Sequence, residues 1–338
     1  MEIRESNKNQ VFIGLDIFKL FFAICVVAIH THPLYYCEQI LSIKIYNSIL
    51  ELAVPTFFLI SGYLLFRNIQ YSEIYSRKTL LKVKKYVLKI LRLYLVWNAI
   101  YFPISVFGFI NENTPFTKAV VLYLRGLLIV GEQYFSWPLW YLLALIYSLV
   151  IISFFLRRQV KLNWLLMFGW GMYFLSELLT QIINHKETYT GIVKVGVDIL
   201  SQTIVSGRVF SGVLFVVIGI YIATTIKNER LPFWMIVAIL IYIFSPKEIS
   251  LFLKPFAATG ILIFAKNLSI KNMKLSWCRK ASTILYFSHM LFYFIWSIIL
   301  KGDRWGIAPF CFTLGSGIVT IIIVLNVGKK VKVFNNIF

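Results

Sequence analysis

Along this chain, apolar residues come in runs of about 20, separated by short polar and basic segments instead of alternating with them. At 1.5 Å per residue such runs match the ~30 Å hydrocarbon thickness of a bilayer. The pattern predicts membrane spans at about 12–33, 48–66, 87–109, 137–156, 163–182, 207–226, 232–246, 249–265, 281–300 and 306–328. The expected fold is an all-α integral membrane protein of about ten transmembrane helices, one transmembrane domain over residues 1–338 with no appended soluble domain. An even number of spans puts both termini on one side. Two connections are longer than a turn requires. Residues 111–136 open polar (NENTP) and run apolar from Ala119 to Val130, which suits a re-entrant or interfacial helix, and residues 183–206 carry His185, Lys186, Glu187 and Asp198. Long loops on one face are where a binding site is expected.

Composition agrees and settles sidedness. Apolar residues make up 59% and aromatics 17% of the 338 residues, and mean hydropathy is +0.78, outside the range of soluble domains. The cations Arg67, Arg77, Lys78, Lys82, Lys84, Lys85, Arg157, Arg158, Lys161, Lys227, Arg230, Lys266, Lys271, Lys274, Arg279, Lys280, Lys329, Lys330 and Lys332 fall on one face of this topology. By the positive-inside rule that face, and with it both termini, is cytoplasmic. The net charge of +20 therefore needs no nucleic-acid partner, and there is no soluble basic domain to bind one. The four cysteines show neither a bridging pair outside the membrane nor metal-ligand spacing. The first span contains Lys19 and is followed by no small-residue cleavage site, so it reads as a retained anchor. No internal repeat or pair of inverted halves is visible, which argues against a transporter architecture.

The chemistry lies in ionisable groups inside the spans. Lys19 and His30 are eleven residues apart in the first span, three turns plus about 20°, so both project from one helix face about 16 Å apart along the axis. A charge inside a span costs roughly 2.5–3.5 kcal/mol even on the lenient insertion scale, so it marks a functional site by default. An imidazole titrates near ambient pH and can take a proton from an attacking hydroxyl. His30 is therefore the first candidate for catalysis, weighed against a helix-packing histidine. For Lys19 the alternatives are snorkelling to the surface and pairing with Asp16 at i,i+3.

Several motifs, in order, carry a resemblance: Asp16-x-x-Lys19-x10-His30, VPTFFLISGYLL at 54–65, KILRLYLVW in the third span, WPLWYLLALI at 137–146 and LYFSH at 285–289. Together they resemble the acyltransferase 3 family of integral membrane acyltransferases over about residues 12–328. The resemblance implies a stand-alone, multi-pass acyltransferase of a bacterial plasma membrane. It implies transfer of an acyl group, acetyl above all, from cytoplasmic acyl-CoA as co-substrate to a hydroxyl of an envelope glycan or lipid-linked sugar on the outer side. No permanently bound cofactor or metal is implied. His30 is the expected general base, with an acyl-histidine as the variant route. The basic residue ahead of this histidine is usually Arg in the family and is Lys19 here, a point charge in place of a bidentate clamp.

Other candidates follow from depth. Lys19, Arg92 and the Ser61–Gly62 step lie at similar depth near the cytoplasmic side and are expected to receive the phosphates and pantetheine of CoA. For Gly62 and for Pro55, close helix packing is the competing reading. Near the outer face, Glu51 or Glu177 are candidates to orient the imidazole, and Arg208 or Lys254 to hold an acceptor phosphate or the developing oxyanion. Mutual ion pairing is the alternative. His289 in the ninth span is a candidate second histidine or a packed one. Trp140, with Trp137 and Tyr141, is either an interfacial aromatic or a sugar-stacking face. Rival functions are a transporter or flippase using the same charges as a pathway, and a non-catalytic partner of a polysaccharide synthase.

Overall fold

The computed structural model describes residues 13–225, 233–268, 275 and 277–327. The described residues form helices and connections, with no strand among them: α1 (Ile13–Thr31), α2 (Ile40–Glu51), α3 (Ala53–Phe66), α4 (Arg77–Asn111), α5 (Phe116–Arg125), α6 (Trp140–Arg157), α7 (Leu162–Asn184), α8 (Gly191–Ile204), α9 (Arg208–Thr225), α10 (Phe233–Phe244), α11 (Lys247–Asn267), α12 (Trp277–Phe294) and α13 (Ile307–Val327). Single π-helical turns extend α5 through Gly126–Val130 and α12 through Ile295–Ile299. Among the described residues, nine helical stretches are long and apolar enough to cross a membrane, with α2 and α3 forming one of them. Large apolar side chains on their outer faces, such as Leu88, Leu95, Ile110, Phe154, Trp164 and Ile322, are exposed. Only a lipid solvent makes that arrangement cheap, and the chain is a multi-pass membrane protein.

Nine of the ten expected spans coincide with these stretches, and three differences are instructive. The second begins at Ile40 rather than near 48 and breaks at Leu52. Pro55 lacks an N–H and its ring would collide with the carbonyl four residues back, at Glu51, where α2 ends. The third begins at Arg77, ten residues early, because Ser76 caps it by accepting a hydrogen bond from the Thr79 amide at 3.2 Å. The segment expected at 232–246 forms only the 12-residue α10, about 18 Å long. The termini assigned to the cytoplasm, residues 1–12 and 328–338, lie outside the described residues.

Contacts gather into two compact units, residues 1–60 with 226–338, and residues 61–225. In the first, α1 packs on α12 and α11, α12 on α13, and α10 on α11 and α2. Gly14 lets α1 approach the Ala265 carbonyl of α11 where a Cβ would collide. In the second, α9 is central, packed against α6 and α7, and α6 also meets α4; Val213, Leu214, Val216, Val217 and Ile220 of α9 are all buried. The connection at 111–136 contains α5, the short helix expected there, and the connection at 183–206 contains α8, a helix that the sequence pattern does not predict. Both leave apolar side chains uncovered, Phe116 and Val121 on α5 and Ile192 and Val195 on α8.

Candidate active site

An ion pair and a pair of stacked rings are among the contacts that join α1 to α12. Asp16, in the first turn of α1, accepts two hydrogen bonds from Arg279 in the first turn of α12, Nε to Oδ1 and Nη2 to Oδ2, both 3.0 Å. Asp16 is buried, its side chain 2% exposed against 56% for Arg279. Asp16 thus has a partner beyond the i,i+3 spacing considered from sequence, and Arg279 lies inside a helix where a loop was expected. A buried carboxylate needs a hydrogen-bonded cation, and a guanidinium offers a fork that matches both oxygens.

Further along the same two helices, His30 and His289 stack, with ring centroids 5.5 Å apart and planes 28° from parallel. Asp16 to His30 is about 21 Å along α1, and Arg279 to His289 about 15 Å along α12. Because early residues meet early ones and late residues late ones, α1 and α12 run in the same direction. α1 is uninterrupted from Lys19 to His30, so both lie on one face as their spacing implies.

His289 is fully buried. Its Nδ1 sits 3.1 Å from the Leu285 carbonyl oxygen, which can only accept, so Nδ1 carries the hydrogen and donates. Nε2 is then a lone pair, buried and without a hydrogen-bond partner. Leaving a buried acceptor unpaired costs about 1–3 kcal/mol. Tyr286 borders the ring at 6.3 Å and is itself packed against Phe57 at 5.5 Å, so His289 is held in an aromatic frame with one atom unsatisfied. Opposite it, His30 is half-buried near the end of α1. A neutral His289 in this tautomer can accept a hydrogen bond from an incoming hydroxyl but cannot donate one to a carbonyl.

The other candidates are distributed as follows. In the first unit, Lys19 is half-buried on α1. Glu51 is ion-paired with Lys254 at 2.8 Å and accepts a hydrogen bond from Tyr242 at 3.4 Å, the mutual pairing weighed as the alternative for those two residues. In the second unit, Ser61 is 3.0 Å from the Tyr141 hydroxyl and also bonds Tyr86. Gly62 sits against the backbone of Val216 in α9, where a Cβ would collide, so helix packing accounts for it. Arg92 is exposed on α4, and Glu177 is half-buried on α7.

Arg208 opens α9 and is held from several directions. Its Nη2 donates to both oxygens of Glu132, at 2.9 and 3.1 Å, and its Nε to Ser206 at 2.8 Å. Its guanidinium lies 5.2 Å from the Trp140 ring centroid. Burial pushes the Glu132 carboxyl above the ordinary carboxylate range, and Arg208 pulls it the other way. The neighbouring π turn is closed by the hydroxyls of Tyr94 and Tyr147, which donate to the Leu127 and Leu128 carbonyls. Sequence reasoning found Arg208 and Trp140 but not Glu132 or Arg279. The available signal was stoichiometric, since each buried charge in a span requires an opposite one. Among the described residues no group of three or more His, Cys, Asp or Glu side chains converges as a metal site would.

The sequence matches the acyltransferase-domain family Acyl_transf_3 over residues 12–327, nearly its whole length. The chain belongs to that family. The stacked histidines lie within the matched region. Among curated proteins it is similar to an amino-acid racemase of Enterococcus faecalis, 33% identical over 144 residues, which are 43% of this chain and 19% of the racemase. It is also similar to a serine/alanine racemase of Enterococcus gallinarum, 32% identical over 149 residues, 44% of this chain and 20% of that protein. A further amino-acid racemase of E. faecalis is 26% identical over 235 residues, 66% of this chain and 30% of that one. The chain thus spans less than a third of the length of these relatives. No solved structure matches it.

Proposed function

We propose that this acyltransferase moves an acyl group, acetyl from acetyl-CoA, onto a hydroxyl of an envelope glycan or lipid-linked sugar at the outer side of a bacterial plasma membrane. The observation that carries the reading is the stacked pair His30 and His289, in which a buried Nε2 lone pair has no partner. A hydroxyl of the acceptor next to the reacting one is the kind of group that would satisfy it, leaving the reacting hydroxyl's own proton to His30. In the proposed reaction the hydroxyl oxygen attacks the thioester carbonyl while His30 takes its proton as general base. The new C–O bond forms, the C–S bond breaks, and the proton passes to the departing thiolate, so the products are the ester and free CoA.

In this reading His289 positions the acceptor through a hydroxyl next to the reacting one, and Lys19, on the same face of α1 as His30, serves the donor. A donor entering from the cytoplasm requires a path across the bilayer. The parallel course of α1 and α12 supports ten passes with α10 as a short one, because nine would set these two helices antiparallel. The racemase names of the relatives describe proteins of which this chain matches less than a third, and the proposal takes no racemisation from them.

The test is transfer of label from [acetyl-14C]acetyl-CoA into the envelope fraction of membranes carrying wild type, His30→Ala or no protein. Label that requires both the protein and His30 is the expected result. Its absence from wild-type membranes, with longer acyl-CoAs also tried, would overturn acyl transfer and favour transport of an envelope precursor.

A further inference from the structure

One residue beyond the catalytic pair, the chain builds a feature that proton transfer does not use. Gly306 donates its amide to the Thr31 carbonyl at 2.9 Å, fastening the loop before α13 to the end of α1 beside His30. The loop is tied at two more places, by Tyr293, whose hydroxyl donates to the Arg304 carbonyl at 2.9 Å, and by Trp296, whose indole N–H donates to the Asp303 carbonyl at 2.8 Å. His32 turns the chain with φ of +45° and Gly306 with φ of +118°, a value that strains any residue but glycine. A Cβ at Gly306 would press on the Tyr36 ring at 3.3 Å.

These fastenings gather aromatic rings. Tyr35 lies 4.7 Å from Trp305 and 5.1 Å from Tyr36, and His32 is edge-on to Trp305 at 6.1 Å. Arg304 covers the Trp305 ring at 5.5 Å, so Trp305 is a keystone between its neighbours while the tyrosines stay open, Tyr35 53% and Tyr36 75% exposed. Partial burial holds the His32 imidazole below its ordinary pKa range. Asp303 and Arg304 are exposed at the same edge. Interfacial tyrosines anchoring a helix end need no such assembly. Rigid open ring faces flanked by hydrogen-bonding groups suit the alternating C–H faces and hydroxyl edges of a sugar ring.

We propose that Tyr35 and Tyr36, braced by Trp305, form a platform on which a pyranose ring of the acceptor stacks, bringing one of its hydroxyls to His30. The consequence for catalysis rests on the acyl-transfer reading; binding does not. The probe is the glycan fraction released from envelopes of cells lacking the protein, titrated into the detergent-solubilised full chain. Tyr36→Ala should weaken binding about threefold to tenfold, the range of one aromatic contact, whereas Tyr36→Phe, which keeps the ring face, should bind within about twofold of wild type. The same order should appear in the acceptor concentration giving half-maximal transfer, with no equal shift for acetyl-CoA. No binding by wild type, unchanged binding by Tyr36→Ala, or equal loss in Tyr36→Phe would overturn the platform. Ranked binding without transfer in any variant would sustain the platform and overturn acyl transfer instead; transfer without the ranking would do the reverse.

Discussion

Two of the contacts between α1 and α12 differ in one respect. At Asp16 and Arg279 both carboxylate oxygens are matched by guanidinium N–H groups at 3.0 Å. At His30 and His289, about 15–20 Å along the same helices, a buried acceptor is left open. The closed contact sets the register of two parallel helices, and the open one keeps a bond in reserve. On the proposed reading, stability and reactivity are divided along a single helix pair. A polar group that costs free energy when empty is the kind a substrate can satisfy.

Variants at each contact can break or sharpen that division. The largest effect is expected at His30. His30→Ala should lower acyl transfer by about 10²–10⁴-fold, the usual worth of a general base, while the protein accumulates in membranes at wild-type level. A loss below tenfold would make His30 a packing residue. Arg279→Ala should act in the opposite sense. It strands the buried Asp16 carboxylate at a cost on the order of 2–3 kcal/mol, less than the roughly 3–5 of a fully enclosed pair because Arg279 reaches the surface. The readout is a lowered melting temperature in detergent.

His289→Phe fills the same space without an orphaned lone pair. It should melt at or above the wild-type temperature while transfer falls about 10–100-fold; a lower melting temperature with unimpaired transfer would show that His289 is structural. The smallest effect is expected outside the helix pair, at Glu132. Folding raises its pKa through burial, so this carboxyl favours the folded state most at low pH, and that contribution fades as pH rises through the raised value. Glu132→Gln should therefore melt no lower than wild type at neutral pH, with the difference closing as pH falls into the carboxylate range. A clearly lower melting temperature at neutral pH would show that the Arg208 attraction outweighs burial.

Much of this was legible in the chain because the signals are local. Runs of apolar residues give spans, and the eleven-residue spacing of Lys19 and His30 survives because α1 is continuous. Pro55 was visible, yet its effect, ending α2 at Glu51, depends on where the helix starts, and apolar periodicity marks starts poorly. The partners of charges were the least legible. Asp16 finds Arg279 263 residues away, and Arg208 finds Glu132 76 residues away, pairings fixed by packing rather than by spacing. His289 was visible as a histidine in a span, but its significance lies in an unpaired Nε2, which only the surroundings reveal. The assembly of Tyr35, Tyr36 and Trp305 joins two loops far apart in sequence, and each ring alone reads as an interfacial aromatic.

The most direct test of the division is label transfer from [acetyl-14C]acetyl-CoA into envelopes, measured at equal protein amount for His30→Ala and Arg279→Lys. The second variant keeps the charge beside Asp16 and gives up only the fork. If one contact serves chemistry and the other serves register, His30→Ala loses at least about 100-fold and Arg279→Lys stays within a few fold of wild type. Equal losses, or a smaller loss at His30, would contradict it.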